Sequence, residues 1–293
     1  MSAGERLPGT PVPMHYWNGS GVRIAGDAWG SEGPLVLLQH GGGQTRHAWK
    51  RVGEILGSSG YRAVAFDARG HGDSDWAPDG VYTVDSMVQD LKAVIAALGD
   101  LHPVLVGASM GGGVSLAAIG EGQVDAAALV LVDMAPRIQM EGVDRIQAFM
   151  AQKPEGFDSL EEVAEAISSY QPQRRRPDSL QGLAKNVRLA ADGKYRWHWD
   201  PRFRPKRDDI RKRQERFEAA ARKLKLPALL VRGGLSDVLS EEGARSFLEL
   251  CPNAEYVNVG DAGHMVAGDR NDIFGNAVIE FLARKVPVPS QER

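Results

Sequence analysis

Seven short apolar runs along the chain limit most strongly the fold that this sequence can adopt. Several are continuously apolar rather than alternating, which is typical of strands in a parallel sheet that is covered on both faces. The predicted strands span 22–29, 35–40, 62–67, 103–108, 127–133, 227–233 and 254–260. Helical patterns separate them, and the clearest follows the N-cap residue Thr83 and stops at Gly99. This alternation predicts an α/β fold of right-handed βαβ units in three layers.

The alternation stops in the middle of the chain, which has helical patterns but no clear strand. We therefore predict a core domain made of residues 1–135 and 226–293, with a helical cap inserted at 136–225. Residues 1–20 are rich in Pro and Gly, and we expect a loose lead-in there.

The composition is that of an ordinary soluble globular protein, with 43% hydrophobic and 25% charged residues among 293. The formal net charge of −3 gives no indication of a nucleic-acid or membrane partner. Cys251 is the single cysteine, so no intramolecular disulfide can form. No apolar signal segment and no run of about twenty apolar residues is visible, and we expect a cytoplasmic protein. The sequence does not predict the oligomeric state.

A serine stands at one predicted strand-to-helix junction, in the stretch "LVGASMGGGVSL" at 105–116. The pattern G-x-S-x-G suits a sharp turn that exposes a nucleophile above the sheet, because Gly107 and Gly111 leave room where strand and helix approach closely. The helix that begins at Met110 directs its first amides toward an oxyanion formed nearby. We therefore predict that Ser109 is a catalytic nucleophile.

A serine nucleophile needs a histidine base and an acid that orients the histidine. Of the histidines after Ser109, His264 follows the last predicted strand in a glycine-flanked loop, where catalytic groups of α/β sheets collect, so we assign it as the base. Two acids compete for the third role. We predict Asp237, which follows the penultimate strand by a short loop, and interpret Asp133 as a strand-end residue near the cap hinge.

The stretch "QHGGGQTRHAW" at 39–49 predicts the second half of an oxyanion hole, since three glycines allow close approach to a substrate. We predict that the amide of Gly42 acts with that of Met110; Gly41 and Gly43 are the near alternatives. No cluster of His, Cys and carboxylates has metal-ligand spacing, and we expect no metal and no cofactor.

Five motifs along the chain belong together: "HGGGQ", "FDARGHGDSD", "GASMGG", "RGGLSDVLS" and "AGHMV". With them the chain resembles the capped α/β-hydrolase superfamily, in its serine-nucleophile branch, over nearly all of residues 20–286. It implies a mostly parallel eight-stranded sheet flanked by helices, with the cap between strands 6 and 7. It also implies that His71 and Asp73, in the turn "RGHGDS", are part of the scaffold.

The cap stretch "KYRWHWDPRF" at 194–203 combines aromatic and basic residues. Tyr195, Trp197 and Trp199 are the predicted substrate-binding residues; anchoring of the cap is an equal alternative. The segment 201–225 contains eleven Lys or Arg residues against four Asp or Glu. A solvated amphipathic helix explains this charge, and attraction of an anionic substrate is the alternative.

These observations predict a serine hydrolase of carboxylic esters or lactones of small apolar molecules. Three alternatives stay open: hydrolysis of carbon–carbon bonds in ring-cleavage dienoates, cofactor-free perhydrolase or haloperoxidase activity, and a small-ligand receptor on the same fold. A dienoate hydrolase must also hold a carboxylate, which Arg196 and Arg202 beside the tryptophans could do.

Overall fold

The computed structural model of the chain describes residues 3–170, 180–203, 207–266 and 271–289. Eight strands form the main sheet: β1 His15–Asn18, β2 Arg23–Trp29, β3 Leu35–Gln39, β4 Arg62–Phe66, β5 Val104–Ala108, β6 Ala128–Val132, β9 Ala228–Gly233 and β10 Ala254–Val259. Their order is β1-β2-β4-β3-β5-β6-β9-β10. The two pairs that involve β2 are antiparallel and the other pairs are parallel. The predicted α/β fold with a mostly parallel eight-stranded sheet is confirmed.

Eight α-helices have described bounds: α1 Lys50–Ser58, α2 Val84–Leu98, α3 Met110–Gly120, α4 Met140–Ala151, α5 Leu160–Tyr170, α6 Arg207–Ala221, α7 Glu241–Leu250 and α8 Asn271–Lys285. Two 3-10 helices span Arg46–Trp49 and Leu180–Asn186. The ends of α2 follow the sequence prediction. The Thr83 side chain accepts a hydrogen bond from the Ser86 amide, and Gly99 ends the helix in the left-handed conformation at φ 69°.

The central strands are apolar throughout because both faces of the sheet are buried. Alternate residues of β3 point to opposite sides, so Leu37 packs in one core cluster and Val36 and Leu38 pack in the other. All three side chains are fully buried. Each face therefore supports a layer of helices, and the strand ends stay free to carry the site.

The N-terminal segment differs from the sequence prediction. The sequence predicts a loose lead-in over residues 1–20, but His15–Asn18 forms β1 and pairs with β2 in antiparallel register. The pairing partner, rather than the local composition, determines this edge strand, which is why the Pro- and Gly-rich sequence did not predict it.

The inserted segment after β6 contains α4, α5 and a small hairpin of β7 Val187–Leu189 and β8 Tyr195–Trp197. The prediction of a cap segment without strands is therefore wrong for this hairpin. Trp197 and Trp199 stack at 4.9 Å and pack with Phe157 in a separate apolar cluster that holds the cap together.

α6 lies within the predicted cap bounds, 136–225, but packs against α3 of the core domain. Phe217 and Ala220 belong to the main core cluster, and a Cβ on Gly120 would lie 2.5 Å from the Cβ of Ala220. The helix is therefore part of the layer that covers the sheet. In the described part of the chain, no helix has the length and apolar character needed to cross a bilayer.

Candidate active site

Ser109 stands on a strained turn between β5 and α3. Its backbone has φ 46° and ψ −110°, a conformation that residues other than glycine rarely adopt. Such a conformation costs on the order of 1–3 kcal/mol. A Cβ on Gly107 would lie 2.4 Å from the Gly112 amide nitrogen, and a Cβ on Gly111 would lie 2.6 Å from Gln39 Cβ. Only glycine fits at both positions. The sequence G-x-S-x-G therefore forms the predicted turn, with Ser109 on the wall of a cleft.

Hydrogen bonds hold this turn in place from both sides. The Ser109 amide donates to the Val132 carbonyl at 3.1 Å, and the Gly113 amide donates to the Ser109 carbonyl at 3.0 Å. The position of Ser109 is thereby fixed to strand β6 as well as to helix α3.

His264 lies on the same cleft, with its Nδ1 2.6 Å from Oδ2 of Asp133. Asp133 is fully buried and follows β6 directly, at φ 47°. The geometry brings Asp133, rather than Asp237, to the histidine. Because the carboxylate occupies Nδ1, the other ring nitrogen is left to act as a base.

Asp237 was our predicted acid, and the structure contradicts its predicted contact with His264. Its side chain is 36% exposed and forms an ion pair with Arg145 of helix α4. The two candidates were hard to separate by sequence because β6 and β9 are parallel neighbours, so their carboxyl ends lie side by side.

Ser236 is a supporting residue that the sequence analysis did not identify. Its hydroxyl oxygen accepts hydrogen bonds from the amides of Val238 and Leu239, both at 3.1 Å, and its O–H donates to Asp133 Oδ2. The Gly233 amide donates to Oδ1 at 2.8 Å. Asp133 thus accepts three hydrogen bonds, which stabilise the buried carboxylate.

The glycine loop after β3 lies beside Ser109, since a Cβ on Gly41 would be 3.3 Å from Ser109 Cβ. The Gly41 amide donates to Gln44 Oε1 at 2.9 Å, and the Gly43 amide donates to His71 Nε2 at 3.2 Å. For Gly42, no acceptor occurs among the described residues. Met110 opens α3, where the first amides have no partner within the helix. Gly42 and Met110 therefore keep the free donors that an oxyanion hole requires.

Three buried histidines support this loop: His40, His71 and His198. Backbone amides donate to one ring nitrogen of each, from Ala68, Gly43 and Gly72 respectively. Burial lowers the pKa of His40 to about 4 and that of His71 to about 3, and lowers the pKa of His198 well below its usual value. The rings are therefore neutral acceptors near pH 7, and His198 connects the cap to the turn that contains His71.

A buried ionic cluster fixes the other side of the loop. The Arg46 guanidinium contacts Asp27, Asp67 and Asp73 at 2.9, 2.6 and 2.9 Å. Burial alone would lower the pKa of Arg46, but these carboxylates raise it above the usual value. Asp73 also pairs with Arg188 of the cap at 3.0 Å. The cluster thus joins the turn after β4 to both the glycine loop and the cap.

The cleft has a volume of about 1610 Å³ and lies between the carboxyl ends of the strands and the cap. Trp197 and Trp199 line it, whereas Tyr195 is not among its lining residues. Both tryptophans also belong to the cap cluster. Trp197 and Trp199 therefore anchor the cap and are also placed to contact a molecule in the cleft. Among the described residues, no three His, Cys, Asp or Glu side chains are grouped to hold a metal ion.

A family model described as alpha/beta hydrolase fold matches residues 34–270, so the chain belongs to the α/β-hydrolase fold family. The predicted resemblance to this fold family is confirmed. Esterase Rv0045c of Mycobacterium tuberculosis is 28% identical over 83% of this chain and 80% of that protein.

Protein phosphatase methylesterase 1 of Mus musculus is 30% identical over 56% of this chain, which spans only 47% of that protein. Among solved structures, E-2-(acetamidomethylene)succinate hydrolase superposes with a TM-score of 0.77 at 24% identity, over 92% of this chain and 99% of that one. This last likeness supports the fold alone.

Proposed function

We propose that the protein is a serine hydrolase that cleaves carboxylic esters or lactones of small apolar molecules, with Ser109, His264 and Asp133 as its catalytic triad. The coarser prediction, a hydrolase acting on ester bonds, is confirmed by the esterase and methylesterase relatives. One observation supports the triad most strongly: Ser109 and His264 line the same cleft. Ser109 lies on a strained turn, and His264 is hydrogen-bonded to the buried carboxylate of Asp133.

The reaction proceeds in two halves. Ser109 Oγ attacks the carbonyl carbon while His264 Nε2 takes the hydroxyl proton, and the Gly42 and Met110 amides stabilise the oxyanion. The C–O bond to the alcohol then breaks, and His264 returns the proton to the leaving oxygen. Water attacks the acyl-enzyme with His264 again as base, and the acid is released.

The two cap arginines named for the dienoate alternative, Arg196 and Arg202, are both engaged by carboxylates of the protein. Arg196 forms two hydrogen bonds with Asp192, at 2.8 and 2.7 Å, and is not among the residues that line the cleft. Arg202 lines the cleft but pairs with Asp200 at 2.7 Å. Neither guanidinium is thus free to hold the carboxylate of a dienoate. A cytoplasmic location and the absence of a cofactor stay predictions from the sequence.

Labelling with a fluorophosphonate, followed by mass mapping, tests the nucleophile. We expect modification at Ser109 alone, because Ser74 and Ser115 are buried and donate to backbone carbonyls. Ser109→Ala should lower kcat by roughly 10⁴- to 10⁶-fold on a panel of short to long acyl esters, with the fold unchanged.

Modification of another serine, or full activity in Ser109→Ala, would contradict the proposal. Faster turnover of ring-cleavage dienoates than of every ester and lactone would replace ester cleavage by carbon–carbon cleavage.

A further inference from the structure

The cleft that contains Ser109 is lined by more cations than carboxylates. Six basic residues line the cleft: Lys185, Arg202, Arg211, Lys212, Arg213 and Arg216. Among the described residues, its acidic lining residues are Asp85, Asp133 and Asp144. The wall is therefore basic although the whole chain has a formal charge of −3.

Ion pairs within the protein already compensate two of these cations. Arg202 pairs with Asp200, and Arg216 lies between Asp85 and Glu121. Their guanidinium groups are held in place by carboxylates of the core and the loops. An incoming anion would have to compete with those carboxylates, so Arg202 and Arg216 are poor binding partners for it.

Arg211 and Lys212 are different. Both are exposed residues of the first half of α6, and within the described chain neither has an ion-pair partner. Both also line the cleft. Their charges are thus available to a molecule that enters the cleft, rather than to the protein itself.

Arg211 and Lys212 lie N-terminal to the point where α6 contacts the core domain. Phe217 of the same helix contacts α3 one turn after Ser109, where a Cβ on Gly113 would lie 2.9 Å from its ring. Arg211 and Lys212 precede Phe217 by six and five residues, which is about 8–9 Å along a helix axis. Both cations line the same cleft as Ser109, so an anion bound to them occupies that cleft.

The geometry points to a substrate class: we propose that the cleft takes esters whose acyl chain ends in a carboxylate or similar anion, and that Arg211 and Lys212 bind that group. This inference rests on the proposed esterase function, because it takes the bound molecule to be an ester that Ser109 attacks in the same cleft. It assigns the anion-attracting role to two particular residues of the basic segment and leaves the others as ordinary surface or scaffold.

The test compares two p-nitrophenyl esters that differ only in charge, a suberyl ester with a free terminal carboxylate and its terminal carboxamide. We expect the wild-type protein to favour the carboxylate by about tenfold in kcat/KM, mainly through KM, since two partly exposed ion pairs act on binding. Arg211→Gln with Lys212→Gln should abolish the preference, and Arg211→Glu with Lys212→Glu should reverse it. The preference should also shrink as salt rises from about 0.02 to 0.5 M, because the Debye length falls.

Lys223→Glu with Lys225→Glu is the matched control, since it changes the net charge equally at exposed positions that do not line the cleft. It should keep the wild-type preference. Equal rates on both esters in the wild type, or a carboxylate preference that survives Arg211→Glu with Lys212→Glu, would overturn the inference. Turnover of the neutral carboxamide ester, and its loss in Ser109→Ala, reports on the esterase function separately. If the wild type hydrolyses neither ester, both proposals fail together.

Discussion

Replacement of Asp133 by asparagine is the sharpest test of the catalytic acid. In the structure this carboxylate accepts from the Gly233 amide, the Ser236 hydroxyl and His264 Nδ1–H. An asparagine side chain has one oxygen and one NH2 group. The Gly233 amide can only donate, so it keeps the oxygen at the Oδ1 position, and the NH2 group then faces both the Ser236 hydroxyl and His264 Nδ1–H. His264 avoids the contact between two donors by moving its proton from Nδ1 to Nε2, and Nε2 can then no longer accept the proton of Ser109.

The loss should be roughly 10⁴-fold in kcat, the size expected when a triad histidine is held in the wrong tautomer. That factor corresponds to about 5.5 kcal/mol of transition-state stabilisation. Asp237→Asn is the matched control. It removes one exposed ion pair with Arg145, worth about 0–1 kcal/mol, and should change kcat by less than about fivefold.

Steady-state rates on one p-nitrophenyl ester, with thermal unfolding of both variants, measure this ranking. The sequence alone predicted the opposite order. An Asp237→Asn variant that loses as much activity as Asp133→Asn, with both proteins folded, would refute the assignment of Asp133.

Gly107→Ala should destabilise the protein by about 1–3 kcal/mol and lower kcat by roughly 100-fold, because its Cβ would lie 2.4 Å from the Gly112 amide nitrogen. Gly260→Ala, where nothing lies within 4 Å, is the control in the same unfolding and rate assays, and equal effects of the two would contradict the argument. Stability should also fall as the pH drops from about 6.5 to 4, because the pKa of buried His40 is lowered to about 4 and the unfolded chain binds its proton first. Denaturant unfolding at pH 7 and pH 5 should differ by about 2 kcal/mol for one such histidine, and equal stability at both would disprove it.

The sequence by itself determined the elements that depend on local pattern. The predicted β5 and β6 strands end within one residue of the observed bounds, and the predicted helix after Thr83 is α2. Ser109 could be placed because the turn needs small residues on both sides, which a sequence displays directly. His264 could be placed because it follows the last strand in a glycine-flanked loop.

Only the tertiary structure decided which residues pair across the fold. β1 forms because it pairs with the edge of β2. α6 belongs to the core layer because Phe217 packs against α3. Asp133 contacts His264 because its backbone turns at φ 47° directly after β6 and directs the carboxylate to the imidazole. Apolar periodicity reports which face of an element is buried, but it carries no information on which of two neighbouring strand ends presents its side chain to a third loop. That choice depends on backbone angles and contacts between residues more than a hundred positions apart, as for Asp133 and His264.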